Sequence, residues 1–457
     1  MLHRILSPFK AVPPAEVPLE DPVEIRRTYR YWRLRMMYAA FIGYAVFYLV
    51  RKNISIAIPV MEKQLGIRKA NLGLFITLGD LLYGVSKFVN GMLADRANPR
   101  YFMALGLFCS AVMNVCFGVS SAVLTFGLFW MFNGWFQGMG FPPCARVLSH
   151  WFSPSERGTK WAIWNASHQV GAAVILVLAG YLATRHVALD IGGLAIRLDG
   201  WQLCFVVPAA MAMVTVLFLI NRLRDTPPSL GLPPVERYRD DPAAAAPPEG
   251  AAFSRLLWQR VFTNKFIWII CLANFFVYIQ RYAFLNWAPS YLTEVKGVEL
   301  MHAGWMTAGF EIAGLLGSVC GGWASDTILK ARRGPICVFY MLMSLVCVLI
   351  FWKAPLQSQL SNAVVLGLLG FFIYGPQFLV GVMTADLSTK HAAATAIGLT
   401  GLFGYGSSII SGWGLGWTVD NHGWDGGFGL LVVCAVLATG LFALTWNARA
   451  SGPASDG

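Results

Sequence analysis

The sequence has few charged residues: Asp, Glu, Lys and Arg make up 13% of its 457 residues, against about 25% in an ordinary soluble domain. A soluble fold of this size would have too little polar surface to cover itself. Because 56% of the residues are hydrophobic and the mean hydropathy is +0.57, lipid is the expected solvent. Residues 1–33 are polar and lack the apolar core of a signal peptide, so the first apolar segment is expected to stay in the mature protein.

Motifs of catalysis and cofactor binding are also missing. The sequence contains no nucleophile paired with a base, no cluster of metal ligands and no phosphate-binding GxxxxGKS or GxxxxGKT loop, which excludes an enzyme and leaves no cofactor to expect. The nine cysteines have irregular spacings without a CxxC pair, which is typical of buried hydrophobic residues rather than of disulfides or zinc sites. The apolar runs are continuous and do not alternate like strands, which excludes a membrane barrel.

Apolar stretches long enough to span a bilayer as helix, about 20 residues, occur twelve times. They predict an all-α membrane protein with twelve transmembrane helices and little length left for a soluble domain. The predicted spans are residues 34–59, 71–94, 101–121, 123–149, 160–184, 201–221, 265–292, 301–325, 335–352, 361–385, 392–417 and 427–446.

The basic excess, 35 Lys and Arg against 23 Asp and Glu, falls mostly on one side when the spans are threaded alternately through a membrane. This asymmetry predicts that both termini are cytoplasmic, and it makes a nucleic-acid partner unnecessary. A stretch rich in Pro, Ala and charge then divides the spans into two halves. The predicted organisation is a cytoplasmic segment 1–33, a six-helix half 34–221, a cytoplasmic linker 222–264, a second six-helix half 265–446 and a cytoplasmic tail 447–457.

A short motif recurs at equivalent places in the two halves. GMLAD follows the second span and GWASD follows the eighth, and each is followed by basic residues. This recurrence is typical of a parallel duplication, and it resembles the signature of the major facilitator fold, in which two six-helix halves rock around a midplane site. The conformational loop residues predicted from it are Asp95, Arg96, Arg100, Asp326, Arg332 and Arg333.

Two arginines lie deep in predicted spans, where a charge costs about 2.5–3.5 kcal/mol on insertion scales. Arg51 lies in the first span and Arg281 in the seventh, at equivalent depths in the two halves. Two like charges facing each other in a low dielectric call for an anion between them, and the planar guanidinium fork suits phosphate. The alternative interpretation is a structural ion pair of each arginine with an acid of a neighbouring helix, for which Asp80 and Glu311 are the candidates.

Other polar residues of the spans accompany the arginines. Lys87 adds a cation seven residues after Asp80, on the same helix face. His168 is the histidine deep in a span, and it is either a packing residue bonded to a neighbouring helix or a group that follows the charge of a phosphate ligand. Three tyrosines lie within two helical turns of an arginine and are expected to supply hydroxyl donors: Tyr44, Tyr48 and Tyr278.

The chain resembles the organophosphate:phosphate antiporter family of the major facilitator superfamily over nearly its whole length. The resemblance is carried by GYAVFYLVRKN (43–53), YGVSKFVNGMLADRANPRYF (83–102), SERGTKWAIWNASHQVGA (155–172), YIQRYAFLNWAPSYL (278–292) and GLTGLFGYG (398–406), among others. It implies a monomer in the inner membrane that exchanges inorganic phosphate for a sugar phosphate or glycerol phosphate. The family's substrate residues fall on Arg51, Arg281, Lys87, His168, Tyr44, Tyr48, Trp135, Trp164, Tyr278, Tyr374 and Tyr405.

The sequence departs from the family pattern in three respects. An acid that pairs with the lysine after the first arginine is Asn286 here, so we expect Glu311 to pair with Lys52 instead and hold one face closed. Asp80 replaces a residue that is usually uncharged. The N-terminal stretch also resembles the family's hexose-phosphate sensor, which acts on a membrane kinase, so a sensor stays open as the second hypothesis. A proton-coupled facilitator is the third, although it needs a central acid where paired arginines stand.

Overall fold

A computed structural model of the chain describes residues 9–94, 97–191, 194–240, 255, 258–329, 332–355, 358–388 and 393–448. Helices make up most of this part. They are α1 Pro22–Lys52, α2 Ile54–Leu65, α3 Lys69–Ala94, α4 Pro99–Gly118, α5 Val123–Gln137, α6 Phe141–Trp151, α7 Pro154–Leu182, α8 Gly200–Arg222, α9 Val235–Arg239, α10 Lys265–Glu294, α11 Leu300–Thr327, α12 Arg333–Lys353, α13 Gln359–Leu387, α14 Ala393–Gly406 and α15 Leu415–Leu444. Short π-helices cover Trp258–Phe262 and Ile409–Gly414.

Several helices begin at a polar cap that the sequence supplies. The Asp21 carboxylate accepts hydrogen bonds from the amides of Val23 (3.0 Å) and Glu24 (3.3 Å), which satisfies two donors of the first turn of α1. Asn98 caps α4 through the amide of Arg100 at 3.1 Å. Proline follows both caps, at the first helical position, where its missing amide costs nothing.

The predicted spans are largely helical, and nine helices within the described ranges are long and apolar enough to cross a membrane. The differences lie at starts and breaks. α1 begins at Pro22, before the predicted residue 34, because the Asp21 cap extends it through the polar segment. The loop predicted for 418–426 is instead helical within α15 apart from Gly423, whose φ of 66° makes a kink. The loop before α8 contains an antiparallel hairpin of β1 (Val187–Ile191) and β2 (Leu194–Leu198).

The contacts divide the chain into two compact units, which do not coincide with the predicted halves. Unit 1 comprises residues 1–54, 82–175 and 185–245. Unit 2 comprises residues 55–81, 176–184 and 246–457. Parts of α2, α3 and α7 are therefore grouped with the second half, and the predicted division at the linker stays a prediction.

The core of unit 1 includes the N-terminal segment that precedes the first span. The amide of Ala15 donates to the Pro228 carbonyl at 2.9 Å, and the amide of Leu19 donates to the Gly231 carbonyl at 2.8 Å. These bonds align residues 15–19 with the start of the predicted linker. Tyr29 of α1 is fully buried and hydrogen-bonds the Pro233 carbonyl with its hydroxyl.

Asp225 is the centre of this arrangement. Its buried carboxylate accepts hydrogen bonds from the Arg146 guanidinium (2.9 Å to the nearer nitrogen) and from the amide of Val12 (2.8 Å). The backbone carbonyl of Asp225 accepts a hydrogen bond from the indole N–H of Trp151 at 2.9 Å. A buried carboxylate is stable only when its oxygens are satisfied. Asp225 therefore ties the start of the predicted linker to α6, which carries Arg146 and Trp151, and to the N-terminal segment at Val12.

Unit 2 packs α11 against α13 through glycines. A Cβ atom added to Gly317 would lie 2.0 Å from the Phe371 carbonyl oxygen, and one added to Gly370 would lie 2.0 Å from the Phe310 carbonyl oxygen. The helix backbones are thus in direct contact, which is typical of small residues at helix crossings in membranes. This close approach brings Tyr374 of α13 against Gly314 of α11.

Gly370→Ala should destabilise the protein, because the new methyl group meets backbone that cannot move aside. Overpacking of this kind costs about 1–3 kcal/mol. Gly367→Ala is the matched control on the same helix: its Cβ would meet the nearest atom at 3.9 Å, and removing a helical glycine there should be neutral or stabilising. Thermal unfolding of both variants in detergent checks this. Equal melting temperatures would show that the crossing tolerates a wider spacing.

Candidate functional site

Arg51 lies in unit 1 at the end of α1, beside a break in the first span. Val50 has non-helical backbone angles, and Asn53 separates α1 from α2. The Arg51 side chain is 8% exposed, and its guanidinium carbon lies 3.7 Å from the centre of the Tyr83 ring and 5.7 Å from that of Tyr48. A cation over an aromatic face is stabilised electrostatically when it is removed from water. The sequence-based site did not include Tyr83. Its tyrosines were chosen for their spacing from an arginine on the same helix, and α3 carries no deep arginine.

An asparagine network satisfies the backbone at this break. The Val50 carbonyl, which the break frees from helical bonding, accepts hydrogen bonds from Asn114 (2.9 Å) and Asn133 (3.0 Å). The Asn53 amide donates to Asn114 at 2.8 Å and to the Cys204 carbonyl at 3.0 Å. These asparagines are buried. The network therefore fixes the backbone on both sides of Arg51, in a region where an unsatisfied carbonyl is costly.

Aromatic rings continue from Arg51 towards α7. The ring of Tyr44 lies 4.9 Å from that of Trp164 and 5.6 Å from that of Tyr48. The Tyr48 ring lies 5.4 Å from the imidazole of His168. The Nδ1 atom of His168 is hydrogen-bonded to the Asn165 carbonyl, so Nδ1 carries a proton and Nε2 is the acceptor of the neutral ring. The predicted residues Tyr44, Tyr48, Trp164 and His168 are thus brought together with Arg51.

Lys87 and Trp135 lie in the same unit, on α3 and α5. The Lys87 ammonium is 4.1 Å from the centre of the Phe141 ring, which in turn packs 6.3 Å from the Tyr44 ring. The Trp135 carbonyl accepts a hydrogen bond from Ser86, the residue before Lys87. Lys87 therefore borders the aromatic cluster, and the described contact of Trp135 to this region is through its backbone.

Arg281 lies in unit 2 within α10 and is 5% exposed. Its Nε atom donates a hydrogen bond to the Tyr374 hydroxyl at 2.9 Å, and its guanidinium carbon lies 4.7 Å from the Tyr374 ring centre. The rings of Tyr278 and Tyr282 flank it at 5.8 and 5.6 Å. Glu311 interacts electrostatically with Arg281 and Tyr374. The alternative interpretation, a structural ion pair of Arg281 with Glu311, stays a prediction.

The remaining predicted residues of unit 2 lie around this group or along the same helices. The Tyr405 ring is 6.4 Å from the Tyr278 ring. Asn286, which stands where an acid was expected, accepts a hydrogen bond from Ser55 at 3.1 Å. Asp80 is buried in α3. Lys52 and Glu311 belong to different units, so their pairing stays a prediction.

A charged cluster that sequence analysis missed joins four helices of unit 2. The Lys69 ammonium forms salt bridges with Glu62 and with Glu294, the latter at 3.1 Å. The Asp420 carboxylate of α15 accepts a hydrogen bond from the amide of Ala70 at 2.8 Å, and it thereby caps the first turn of α3. The indole of Trp424 donates to Glu294 at 3.0 Å. Glu294 and Asp420 are far from Lys69 in sequence, so their approach to it could not be recognised from spacing.

All three predicted loop residues lie within the described residues in the second half only. Arg333 forms salt bridges with Asp326 and with Asp386, the latter at 3.2 Å, so two of the predicted loop residues are brought together. Arg332 is exposed just before α12. In the first half Asp95 and Arg96 lie outside the described residues, whereas the Arg100 guanidinium carbon lies 5.0 Å from the Tyr101 ring centre.

Comparisons with known proteins agree with this architecture. A model of the Major Facilitator Superfamily matches residues 40–412. A solved structure titled as a bacterial homolog to the human lysosomal transporter Spinster, inward-facing and unoccupied, superposes with a TM-score of 0.74 over 92% of this chain and 99% of that chain. At 17% identity this likeness shows the fold alone, and it confirms the predicted fold class.

Curated relatives cover nearly the whole chain. A probable hexose phosphate transport protein of Chlamydia pneumoniae is 41% identical, over 95% of this chain and 96% of its own length. The glycerol-3-phosphate transporter of Bacillus subtilis is 42% identical, over 97% and 98%. The membrane sensor protein UhpC of Escherichia coli is 36% identical, over 95% and 97%.

These matches confirm the resemblance found in the sequence and the prediction that the protein is not an enzyme. The chain belongs to the organophosphate:phosphate antiporter family, a family of multi-pass membrane proteins within the major facilitator superfamily.

Proposed function

We propose that the protein exchanges inorganic phosphate for an organophosphate, a hexose phosphate or glycerol phosphate, by alternating access across the inner membrane with both termini cytoplasmic. The observation that carries the proposal is that each unit contains one buried arginine surrounded by tyrosines, Arg51 in unit 1 and Arg281 in unit 2. The names of the hexose phosphate and glycerol-3-phosphate relatives support the substrate class.

The arginines would bind the phosphoryl group, which organophosphates and inorganic phosphate share. A guanidinium group presents a planar pair of donors to phosphate oxygens and stays charged at any physiological pH. The hydroxyl groups of Tyr48 and Tyr278, each one helical turn before an arginine, add donors. His168 fits a ligand whose charge changes near neutrality, because its Nδ1 is already engaged and Nε2 gains a proton when the imidazole becomes charged.

Obligatory exchange follows from the same charges. Moving the empty carrier through an occluded state buries two guanidinium groups without their anion, at a cost of several kcal/mol. Bound phosphate removes that cost, so the ligand favours the occluded state over the open ones, which is the condition for driving the transition. No coupling ion is needed in this scheme.

A second candidate function is a sensor of external sugar phosphate that acts on a membrane kinase. The membrane sensor protein UhpC of Escherichia coli is similar over 95% of the chain, and the sequence of the N-terminal stretch resembles the family's hexose-phosphate sensor. Such a sensor would bind the organophosphate without turnover.

Proteoliposomes test exchange directly. Uptake of external glucose 6-phosphate or glycerol 3-phosphate should be at least about tenfold slower without internal phosphate than with it, the ratio given by roughly 1.4 kcal/mol of barrier. Arg51→Lys and Arg281→Lys should each abolish uptake, because lysine lacks the bidentate fork, whereas the exposed control Arg239→Lys should retain it.

Equal uptake with and without internal phosphate would contradict antiport. Wild-type rates in either buried lysine variant would contradict bidentate binding. Tight binding of the organophosphate without uptake under any condition would favour the sensor.

Asn133→Leu tests whether the asparagine network positions Arg51. The change removes one of the two side-chain donors to the Val50 carbonyl, a hydrogen bond with a net contribution of about 0.5–1.5 kcal/mol. If the lost hydrogen bond weakens phosphate binding at Arg51, the KM for phosphate should rise about tenfold for each 1.4 kcal/mol of binding free energy lost. The kcat should change little. The exposed control Asn421→Leu should leave KM unchanged. A lower melting temperature at unchanged KM would assign the network a purely structural role.

The Lys69 cluster would act as a latch in this cycle. It connects α2 and α3 of the predicted first half to α10 and α15 of the second, all within unit 2. Alternating access requires contacts between the halves to break and form again in each cycle. The Lys69 ammonium bridges the neighbouring carboxylates of Glu62 and Glu294, so its removal leaves two acids repelling each other.

Lys69→Met should therefore loosen this end of unit 2. The amide of Ala70, which donates to Asp420, gives a direct readout by hydrogen–deuterium exchange. We expect faster exchange in peptides that cover residues 69–72 and 290–294, and no change in the exposed control Lys63→Met. Unchanged exchange in the Lys69 variant would show that the salt bridges do not hold the contact.

A further inference from the structure

Three arginines lie together at the end of unit 1 that carries the N-terminal segment. Arg35 is on α1, Arg100 is in the first turn of α4, and Arg224 follows the end of α8. These three helices pack against one another. All three arginines are half-buried, and none of them belongs to the phosphate site described above.

Aromatic rings hold the three guanidinium groups in place. Arg224 and Arg35 both lie near the Trp32 ring, with guanidinium carbons 4.6 and 5.4 Å from its centre. Arg35 also lies 4.1 Å from the Tyr31 ring centre, and Arg100 lies 5.0 Å from that of Tyr101. The arginines are thereby oriented by stacking. The Nη1 atom of Arg224 also donates hydrogen bonds to the carbonyls of Asn221 (3.0 Å) and Leu223 (2.7 Å), which leaves its Nη2 and Nε groups for another ligand.

The charge of this group is not balanced by protein carboxylates in the described ranges, where no acid lies within 4.0 Å of the three guanidinium groups. The adjacent acid, Asp225, is buried and occupied by Arg146 and the Val12 amide. Burial, and then the charges of Arg100 and Arg35, lower the pKa of Arg224. The Nε atom of Arg100 is buried without a hydrogen-bond partner.

The surface next to the arginines has the character of a lipid-facing boundary. Leu34, beside Arg35, is 68% exposed, and Leu217 of α8, seven residues before Arg224, is 70% exposed. On α4, Leu105 and Phe108 are exposed four and seven residues after Tyr101, on one helix face. Exposed apolar side chains on one side and a Trp–Tyr–Arg group at the helix ends are typical of the headgroup level of a bilayer.

We propose that Arg35, Arg100 and Arg224 form a binding site for the phosphate of an anionic phospholipid. The guanidinium groups bind the phosphodiester, and the acyl chains run along the exposed apolar side chains of α1, α4 and α8. A free phosphate ion would satisfy the same donors, but it would leave the adjoining apolar surface unused, which favours the lipid.

Native mass spectrometry of the full-length protein, released from nanodiscs of equal dioleoyl phosphatidylglycerol and dioleoyl phosphatidylcholine, tests the site. Wild-type protein should retain phosphatidylglycerol in preference. Arg35→Gln with Arg224→Gln should reduce that preference by roughly an order of magnitude, and Arg35→Gln alone by about fivefold. The matched control is Arg237→Gln with Arg239→Gln, two exposed arginines outside the group, which should keep the wild-type preference.

Each contrary outcome overturns the proposal. Equal retention of the two lipids by wild-type protein does so without any variant, and the single variant serves if the double one does not fold. Equal loss in the control pair would indicate general surface charge. Displacement of the lipid by millimolar inorganic phosphate would indicate a soluble anion as the occupant.

Discussion

A permanent positive charge inside an apolar helix is the constraint around which both units are arranged. Arg51 and Arg281 are buried, so protein groups must replace most of the water around their charges. In unit 1 the described contacts of Arg51 include the ring faces of Tyr83 and Tyr48. In unit 2 those of Arg281 include the Tyr374 hydroxyl, two flanking rings and the charge of Glu311. The sequence repeat thus supplies equivalent arginines, but their surroundings are not equivalent.

This asymmetry has a physical reading. The ring faces of Tyr83 and Tyr48 stabilise the buried Arg51 cation electrostatically. Arg281 already gives one N–H to a hydroxyl and shares its charge with an acid, so an anion there competes with existing partners.

Sequence periodicity and charge predicted the helices, the two deep arginines and much of the aromatic cluster, because these depend on residues close together in the chain or on the family pattern. These patterns could not predict the break in the helix at Asn53. A break needs partners for the carbonyl that it frees, and these are Asn114 and Asn133, which come from two other helices. The Lys69 cluster was missed for the same reason, since Glu294 and Asp420 approach Lys69 only after folding. An asparagine in an apolar run was the signal that was available and unused.

The hydrogen bonds of Val12, Ala15 and Leu19 to residues 225–231 change where the protein can be said to begin. A helical membrane protein is usually divided at the ends of its spans, and the polar stretch before the first span is treated as a tail. Here the carboxylate of Asp225 is completed by a main-chain amide that precedes the first helix by ten positions (22 − 12 = 10). No side-chain substitution at Val12 removes that amide except proline, so the dependence is on the presence of the chain and not on its local sequence. The folded unit therefore includes Val12, well before the first apolar span, because the chain at this position supplies a donor that the Asp225 carboxylate needs.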